Sequence, residues 1–321
     1  MNFRSLGGSG LKVSEIGLGC NNFGMVMDQK NTNNVVSSAI DEGITLFDTA
    51  DVYGNKGRSE TFLGKALGKR RNQIILATKF GLPMSEDLYH KGGSRRYIMN
   101  SVEDSLRRLN TDYLDLYQIH RPDMETPIEE TLKALNDLIT SGKVRYIGCS
   151  NFSAWQLVES RWKVDILGLE NFISAQNGYS VINRKIENDL SQLATKYSIG
   201  ILPYFPLESG LLTGKYKYKE KPKKGTRLSA WSGRSEVINK FWSKENFEKL
   251  HKLEKVSKKY NHTIIELAFS WLLSRSYVSS VIAGATKVSQ VKQNVNSGLL
   301  KLSKDELTEI DVITQPKYDY S

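Results

Sequence analysis

Tyr113-Leu114-Asp115-Leu116-Tyr117-Gln118-Ile119-His120, a segment Ile128–Ile139, and Val144-Arg145-Tyr146-Ile147-Gly148-Cys149-Ser150 together decide the fold. The two outer runs are short and rich in Leu, Ile, Val and Tyr, as strands covered on both faces are. Between them Ile128, Leu132, Leu135 and Leu138 recur at three- and four-residue steps, the stripe of a helix laid on a core. Strand, crossover helix and strand make the parallel α/β unit. The same alternation runs outward in both directions, with further strand-like runs at Glu15–Gly19, Thr45–Asp48, Ile74–Lys79, Phe172–Gln176, Ile199–Tyr204 and Val278–Ala283. Helix starts carry cap chemistry: Ser94 opens one, and Ser153 opens another with Gln156 three residues on. Eight runs with helices between them predict an α/β protein of the (β/α)8 TIM-barrel class. An open sheet with one topological switch point would alternate in the same way. Residues 3–14 read as a β-hairpin around a Gly-rich turn, ahead of the first barrel strand. The interval from Tyr204 to Ala283 is the longest between strand ends and predicts a long insertion after strand seven, with helices at about Lys244–Tyr260 and Thr263–Ser274. No linker or low-complexity tract interrupts the chain, so residues 1–321 are expected to form a single domain.

Composition narrows the class of function. The chain has 321 residues with 45 basic and 35 acidic side chains, a net charge of +10, and only two cysteines, Cys20 and Cys149. Two cysteines exclude a disulfide scaffold and fit a reducing compartment. No apolar run is long enough for a membrane span and no signal-peptide pattern opens the chain. The expectation is a soluble, cytoplasmic protein with no membrane and no nucleic-acid partner. The basic stretch from Lys215 to Lys224 interleaves Tyr with Lys, which could stack on single-stranded bases, but a solvated loop accounts for it and no nucleic-acid-binding motif accompanies it.

In a barrel of this type the site lies at the C-terminal ends of the strands. Those ends hold Asp48, Lys79, His120, Ser150-Asn151, Gln176 and Tyr204, and Tyr53 follows Asp48 on a turn that folds it back over the mouth. Asp48, Lys79, Tyr53 and His120 form a proton-transfer set. A phenol is a poor acid near neutrality, an adjacent ammonium stabilises the phenolate, and a carboxylate holds the ammonium in place. A histidine at the mouth donates a hydrogen bond to a carbonyl oxygen.

With these residues in place, the chain resembles the aldo-keto reductases along nearly its whole length. Phe47-Asp48-Thr49-Ala50-Asp51-Val52-Tyr53-Gly54 is similar to the family's Asp/Tyr signature, Ala77-Thr78-Lys79 to its lysine strand, and Leu114–His120 to its histidine strand. Ile147–Phe152, and Pro203–Leu207 through Gly210–Tyr216, match in the same order. The resemblance implies hydride transfer between NADPH (NADP+) and a small-molecule carbonyl substrate. Tyr53 would be general acid, with Lys79, Asp48 and His120 assisting. It also implies that Ser150, Asn151 and Gln176 hold the nicotinamide carboxamide and that Tyr204 stacks on the ring. Lys215 and Arg227 would clasp the pyrophosphate, Leu207 and Gly210 would also bind the cofactor, and Gly284, Thr286, Lys287, Gln290, Gln293 and Asn294 would lie at the adenosine end. There Lys287, at a helix N-terminus, suits a ribose 2′-phosphate. The chain departs from frequent family residues at Cys20, Asn21, Phe205 and Gln293.

Other chemistries fit less well. A Rossmann fingerprint fails because Gly17-Leu18-Gly19-Cys20-Asn21-Asn22 lacks its third glycine. None of the 15 tyrosines is followed by Lys four residues later, which excludes the short-chain reductase pair. Cys149 reads as a packing residue rather than a nucleophile. The four histidines offer no metal-binding pair, so no metal is expected. Asp48 and Asp51 lack the matching carboxylate of a glycosidase. The rival function is a nucleotide-sensing subunit on the same barrel with vestigial catalysis. Substrate and oligomeric state are not legible.

Overall fold

A computed structural model describes residues 1–218, 220, 222, 227–230 and 241–315, the side chains of Arg227 and Ala230 excepted. Its strands are β1 (Phe3–Ser5), β2 (Lys12–Ser14), β3 (Ile16–Gly19), β4 (Leu46–Asp48), β5 (Ile75–Phe80), β6 (Leu114–Ile119), β7 (Val144–Ser150), β8 (Ser174–Gly178), β9 (Gly200–Tyr204) and β10 (Val281–Gly284). Its helices are α1 (Gln29–Asp41), α2 (Tyr53–Lys56), α3 (Arg58–Leu67), α4 (Arg95–Leu109), α5 (Ile128–Thr140), α6 (Ala154–Leu167), α7 (Leu190–Tyr197), α8 (Arg227–Ala230), α9 (Lys244–Lys259), α10 (Ile264–Leu273), α11 (Val288–Ser297) and α12 (Lys304–Thr314).

Among the described residues eight parallel strands follow one another in the order β10-β3-β4-β5-β6-β7-β8-β9. The ring closes through the segment before β10. The Ile201 N–H donates to the Tyr277 carbonyl at 2.8 Å, and the Ser279 N–H donates back to the Ile201 carbonyl at 3.0 Å. The expected strand Val278–Ala283 is therefore two pieces: Val278 bridges to β9, and Val281–Gly284 pairs with β3. The structure is the (β/α)8 barrel, and β1 and β2 form the expected antiparallel hairpin.

Alternation along the strands sorts the barrel interior into layers. Leu46, Ala77, Leu116, Leu202 and Ile282 form an apolar floor with Leu6 and Val13 of the hairpin. Gly7, at φ 59°, lets the hairpin approach the floor, since a Cβ there would stand 2.3 Å from the Ile173 carbonyl oxygen. Two residues further along the same strands come Asp48, Lys79 and Gln118, so one face of each strand is apolar at the bottom and polar at the top. The outward residues, such as Phe47, Leu76 and Tyr117, join the larger core beneath the helices.

Cap chemistry matches the sequence. Ser94 caps α4 through the Tyr97 N–H, and Ser153 with Gln156 forms the capping box of α6. The long interval after β9 holds a turn at Glu208–Thr213 and helices α8 and α9 before α10. Much of the basic run Lys217–Lys224 lies outside the described residues.

Candidate functional site

The polar layer at the top of the barrel is built around one buried ion pair. Lys79 Nζ lies 2.7 Å from Asp48 Oδ2 and donates to the Thr49 carbonyl at 2.8 Å, with its side chain fully enclosed. The other Asp48 oxygen, Oδ1, accepts from Gln176 Nε2 at 2.8 Å and Gln118 Nε2 at 3.2 Å. Each carboxylate oxygen is thus held by donors from β5, β6 and β8 that converge inside the barrel, the condition under which a buried charge is tolerated.

Tyr53 meets this pair from above. The Lys79 ammonium stands 4.9 Å from the centre of its ring, and the phenol is a hydrogen-bond partner of the ammonium. Burial works against the Lys79 charge, but Asp48 and Tyr53 outweigh it and hold the amine above its ordinary value. The turn carrying Tyr53 depends on Gly54, at φ 67°. A Cβ at that position would come within 2.5 Å of both the Phe23 carbonyl oxygen and the Ser59 nitrogen.

His120 directly follows β6 and packs edge-on against Tyr53, with ring centres 5.5 Å apart. Burial, then Lys79 and Arg121, push its pKa well below the usual imidazole range, so the ring is neutral. Its Nδ1 is buried without a partner among the described residues. A neutral imidazole offers one N–H donor and one lone pair.

Ser150, Asn151, Gln176 and Tyr204 form a chain beside His120. Tyr204 Oη donates to Asn151 Oδ1 at 2.7 Å, and Asn151 Nδ2 donates to the His120 carbonyl at 2.9 Å. Ser150 Oγ donates to the Gln176 carbonyl at 2.9 Å. Asn151 takes a left-handed backbone at φ 62°, and Phe205, Glu208 and Ser209 do the same in the loop after β9. Such conformations gather where a loop must present specific atoms.

Leu207 and Gly210 lie in that loop, and the Lys215 ammonium lies against Gly210, 2.7 Å from where a Cβ would stand. Lys215 is exposed, over the Tyr216 ring at 5.1 Å. Arg227 opens α8, and its side chain lies outside the described residues. At the end of β10, Gly284 pairs with Gly19 of β3. Gln290 Oε1 accepts from the Thr286 N–H at 2.7 Å, which ties down the entry to α11. Lys287 is the N-cap of α11 and is exposed, as is Gln293, while Asn294 is buried. The residues expected from the sequence therefore fall at one end of the barrel, the side chain of Arg227, which lies outside the described residues, aside.

Two features escaped the sequence reading. Gln118, two residues before His120 on the same strand face, is a second amide on Asp48. A second carboxylate cluster lies behind Tyr53. Asp51 Oδ2 accepts from Tyr97 Oη at 3.1 Å and Ser101 Oγ at 3.4 Å, while Oδ1 is buried with no hydrogen-bond partner among the described residues. Glu60, also buried, accepts from Thr78 Oγ1 and Arg108 Nε, each at 2.6 Å. Burial first, then the Glu60 carboxylate, push the Asp51 carboxyl up to about 7, against the opposing pull of Tyr97 and Arg108. Both cysteines are buried with thiol pKa values above their ordinary range, chiefly through burial, which leaves them as packing residues. Among the described residues no cluster of metal-ligating side chains occurs, and no helix is long and apolar enough to cross a membrane.

The barrel and its polar mouth define a class: an α/β-barrel protein with an ammonium-backed phenol, a carboxylate and a neutral imidazole set over one opening. A model of the aldo/keto reductase family matches residues 15–315. A probable voltage-gated potassium channel subunit beta of Arabidopsis thaliana is 37% identical over 304 residues, covering 92% of this chain and 91% of that protein. An uncharacterized oxidoreductase of Bacillus subtilis is 33% identical over 325 residues, covering 98% and 96%. L-glyceraldehyde 3-phosphate reductase of Escherichia coli K12 is 32% identical over 329 residues, covering 97% and 92%. The chain belongs to the aldo/keto reductase family and, by that membership, is an oxidoreductase.

Proposed function

We propose that this protein reduces an aldehyde or ketone to an alcohol with NADPH, using Tyr53 as general acid and Lys79, Asp48 and His120 as its support. The observation that carries this reading is the sealed Lys79 ammonium, clamped by Asp48 on one side and bonded to the Tyr53 phenol on the other. Such an ammonium stabilises negative charge on the phenol oxygen, so Tyr53 releases its proton to a carbonyl oxygen as that oxygen becomes an alkoxide. Asp48 keeps the ammonium from turning away. His120 is neutral and offers a hydrogen bond that orients the carbonyl without competing for the proton.

The mouth also fits a dinucleotide. Ser150, Asn151 and Gln176 present amide and hydroxyl groups at one side and suit the carboxamide of a nicotinamide, with Tyr204 as a flat wall beside them. Lys215 and the loop of Leu207 and Gly210 suit the pyrophosphate. Gly284, Thr286, Lys287, Gln290, Gln293 and Asn294 suit the adenosine end, where the exposed Lys287 at a helix N-terminus favours a 2′-phosphate. When bound, the reduced nicotinamide supplies the hydride.

The test is turnover. The full chain is mixed with NADPH and a short panel of aldehydes, and the loss of NADPH absorbance is followed. Steady oxidation with at least one aldehyde supports the reading. Tight NADPH binding without oxidation favours a nucleotide-sensing role, the second reading, which the likeness to a probable potassium channel subunit of Arabidopsis supports.

A further inference from the structure

Helix α6 carries its most apolar face toward solvent. Leu157, Ser160 and Val164 point into the protein and are buried. On the opposite side of the helix, Trp155, Trp162 and Ile166 are exposed by 57%, 58% and 63%, with Val158 beside them. Steps of seven and four residues place Trp155, Trp162 and Ile166 in one line about 16 Å long. Two indoles and an isoleucine at the solvent pole of a surface helix form a contiguous patch rather than scattered apolar residues.

We propose that this stripe is a self-association surface, on which α6 of a second copy of the chain packs antiparallel about a two-fold axis near Arg161. The stripe offers about 500 Å² of apolar side chain from a single helix, short of the ~800 Å² that each partner of a standard interface buries, which fits a weak dimer rather than an obligate one.

Charge supports it too. Glu159 and Lys163 flank the stripe on the same side, one turn apart. Antiparallel two-fold pairing brings Glu159 of each copy beside the partner's Lys163, so the pattern is complementary to itself. Glu159 has no ion-pair partner among the described residues, whereas Lys163 holds Glu129 at 2.5 Å and stands 4.7 Å from the centre of the Trp162 ring. The other flank pairs Arg161 with Asp165 at 3.3 Å. A rim of mixed sign suits a second copy better than an anionic membrane or a polyanion, either of which calls for an unbroken basic border.

Sedimentation velocity of the full chain across the micromolar range tests the proposal. The expected result is a monomer–dimer equilibrium whose dissociation constant rises roughly 30-fold or more in Trp162→Glu, the loss expected of a central interface tryptophan. Circular dichroism of that variant should be unchanged, because the residue is 58% exposed. Glu159→Lys should weaken the dimer by severalfold, and adding Lys163→Glu should restore it. A chain that stays monomeric at every concentration overturns the proposal. So does a dimer indifferent to Trp162→Glu, or one that the double charge reversal fails to restore. Co-sedimentation with anionic phosphatidylserine vesicles, without self-association, overturns it in favour of a lipid surface.

Discussion

Two buried clusters lie on either side of the turn from Asp48 to Tyr53, and they balance charge differently. In the first, one carboxylate faces one ammonium, and two amides fill its remaining oxygen. In the second, two carboxylates, Asp51 and Glu60, share the single guanidinium of Arg108, and Glu60 holds it. Asp51 is left with hydroxyl donors on one oxygen and, among the described residues, no hydrogen-bond partner on the other. The first cluster keeps a positive charge under a phenol. The second relieves its excess by keeping a proton near neutrality. Proximity in sequence says little about ionisation; the count of partners decides it.

Breaking the first cluster should have the largest effect. Lys79→Met leaves Asp48 buried without its cation and should cost about 3–5 kcal/mol of stability, with turnover abolished. Urea denaturation reads the first quantity, and Asp48→Asn added to Lys79→Met should recover part of it. A stability within error of wild type would show that the pair carries no such weight.

The second cluster should respond with the opposite sign. The folded-state pKa of Asp51 is raised to about 7 from an ordinary 3.8, so between those values the native chain holds a proton that the unfolded chain has released. Stability from this group is present at low pH and is lost as pH rises through that window. Asp51→Asn removes the loss and should gain on the order of 1–3 kcal/mol relative to wild type at pH 8, with little change at pH 4. Parallel denaturation curves for the two chains at both pH values would sink this account of Asp51.

Lys79 and Asp51 also mark how far the sequence could be read. Asp48, Lys79 and His120 stood out because each ends an apolar run, and barrel geometry brings strand ends together. Gln118 did not, because a polar residue inside a strand declares its face only once the register with β5 and β7 is known. Asp51 was weighed only as a partner for Asp48. Its true neighbours, Tyr97, Ser101 and Glu60, come from α4 and α3, and nothing local announces them. The strand Phe172–Gln176 begins at Ser174 in the fold and runs on to Gly178, since pairing with β9 continues past the apolar run. The capping box of α6 was legible. That Trp155 and Trp162 face outward was not, because apolar residues surround that helix.

The smallest effect is expected where a cation is open to solvent. Lys287→Ala should weaken NADPH binding by about tenfold, one charge-assisted contact, and leave NADH almost unchanged. Isothermal titration with both nucleotides checks this, and equal losses would show that Lys287 does not read the 2′-phosphate.

The most direct measurement is the single-turnover rate of Tyr53→Phe beside its NADPH affinity. Tyr53 as proton donor predicts a rate lower by roughly 100-fold or more at unchanged affinity. A variant that reduces the same aldehyde at the wild-type rate would contradict the account.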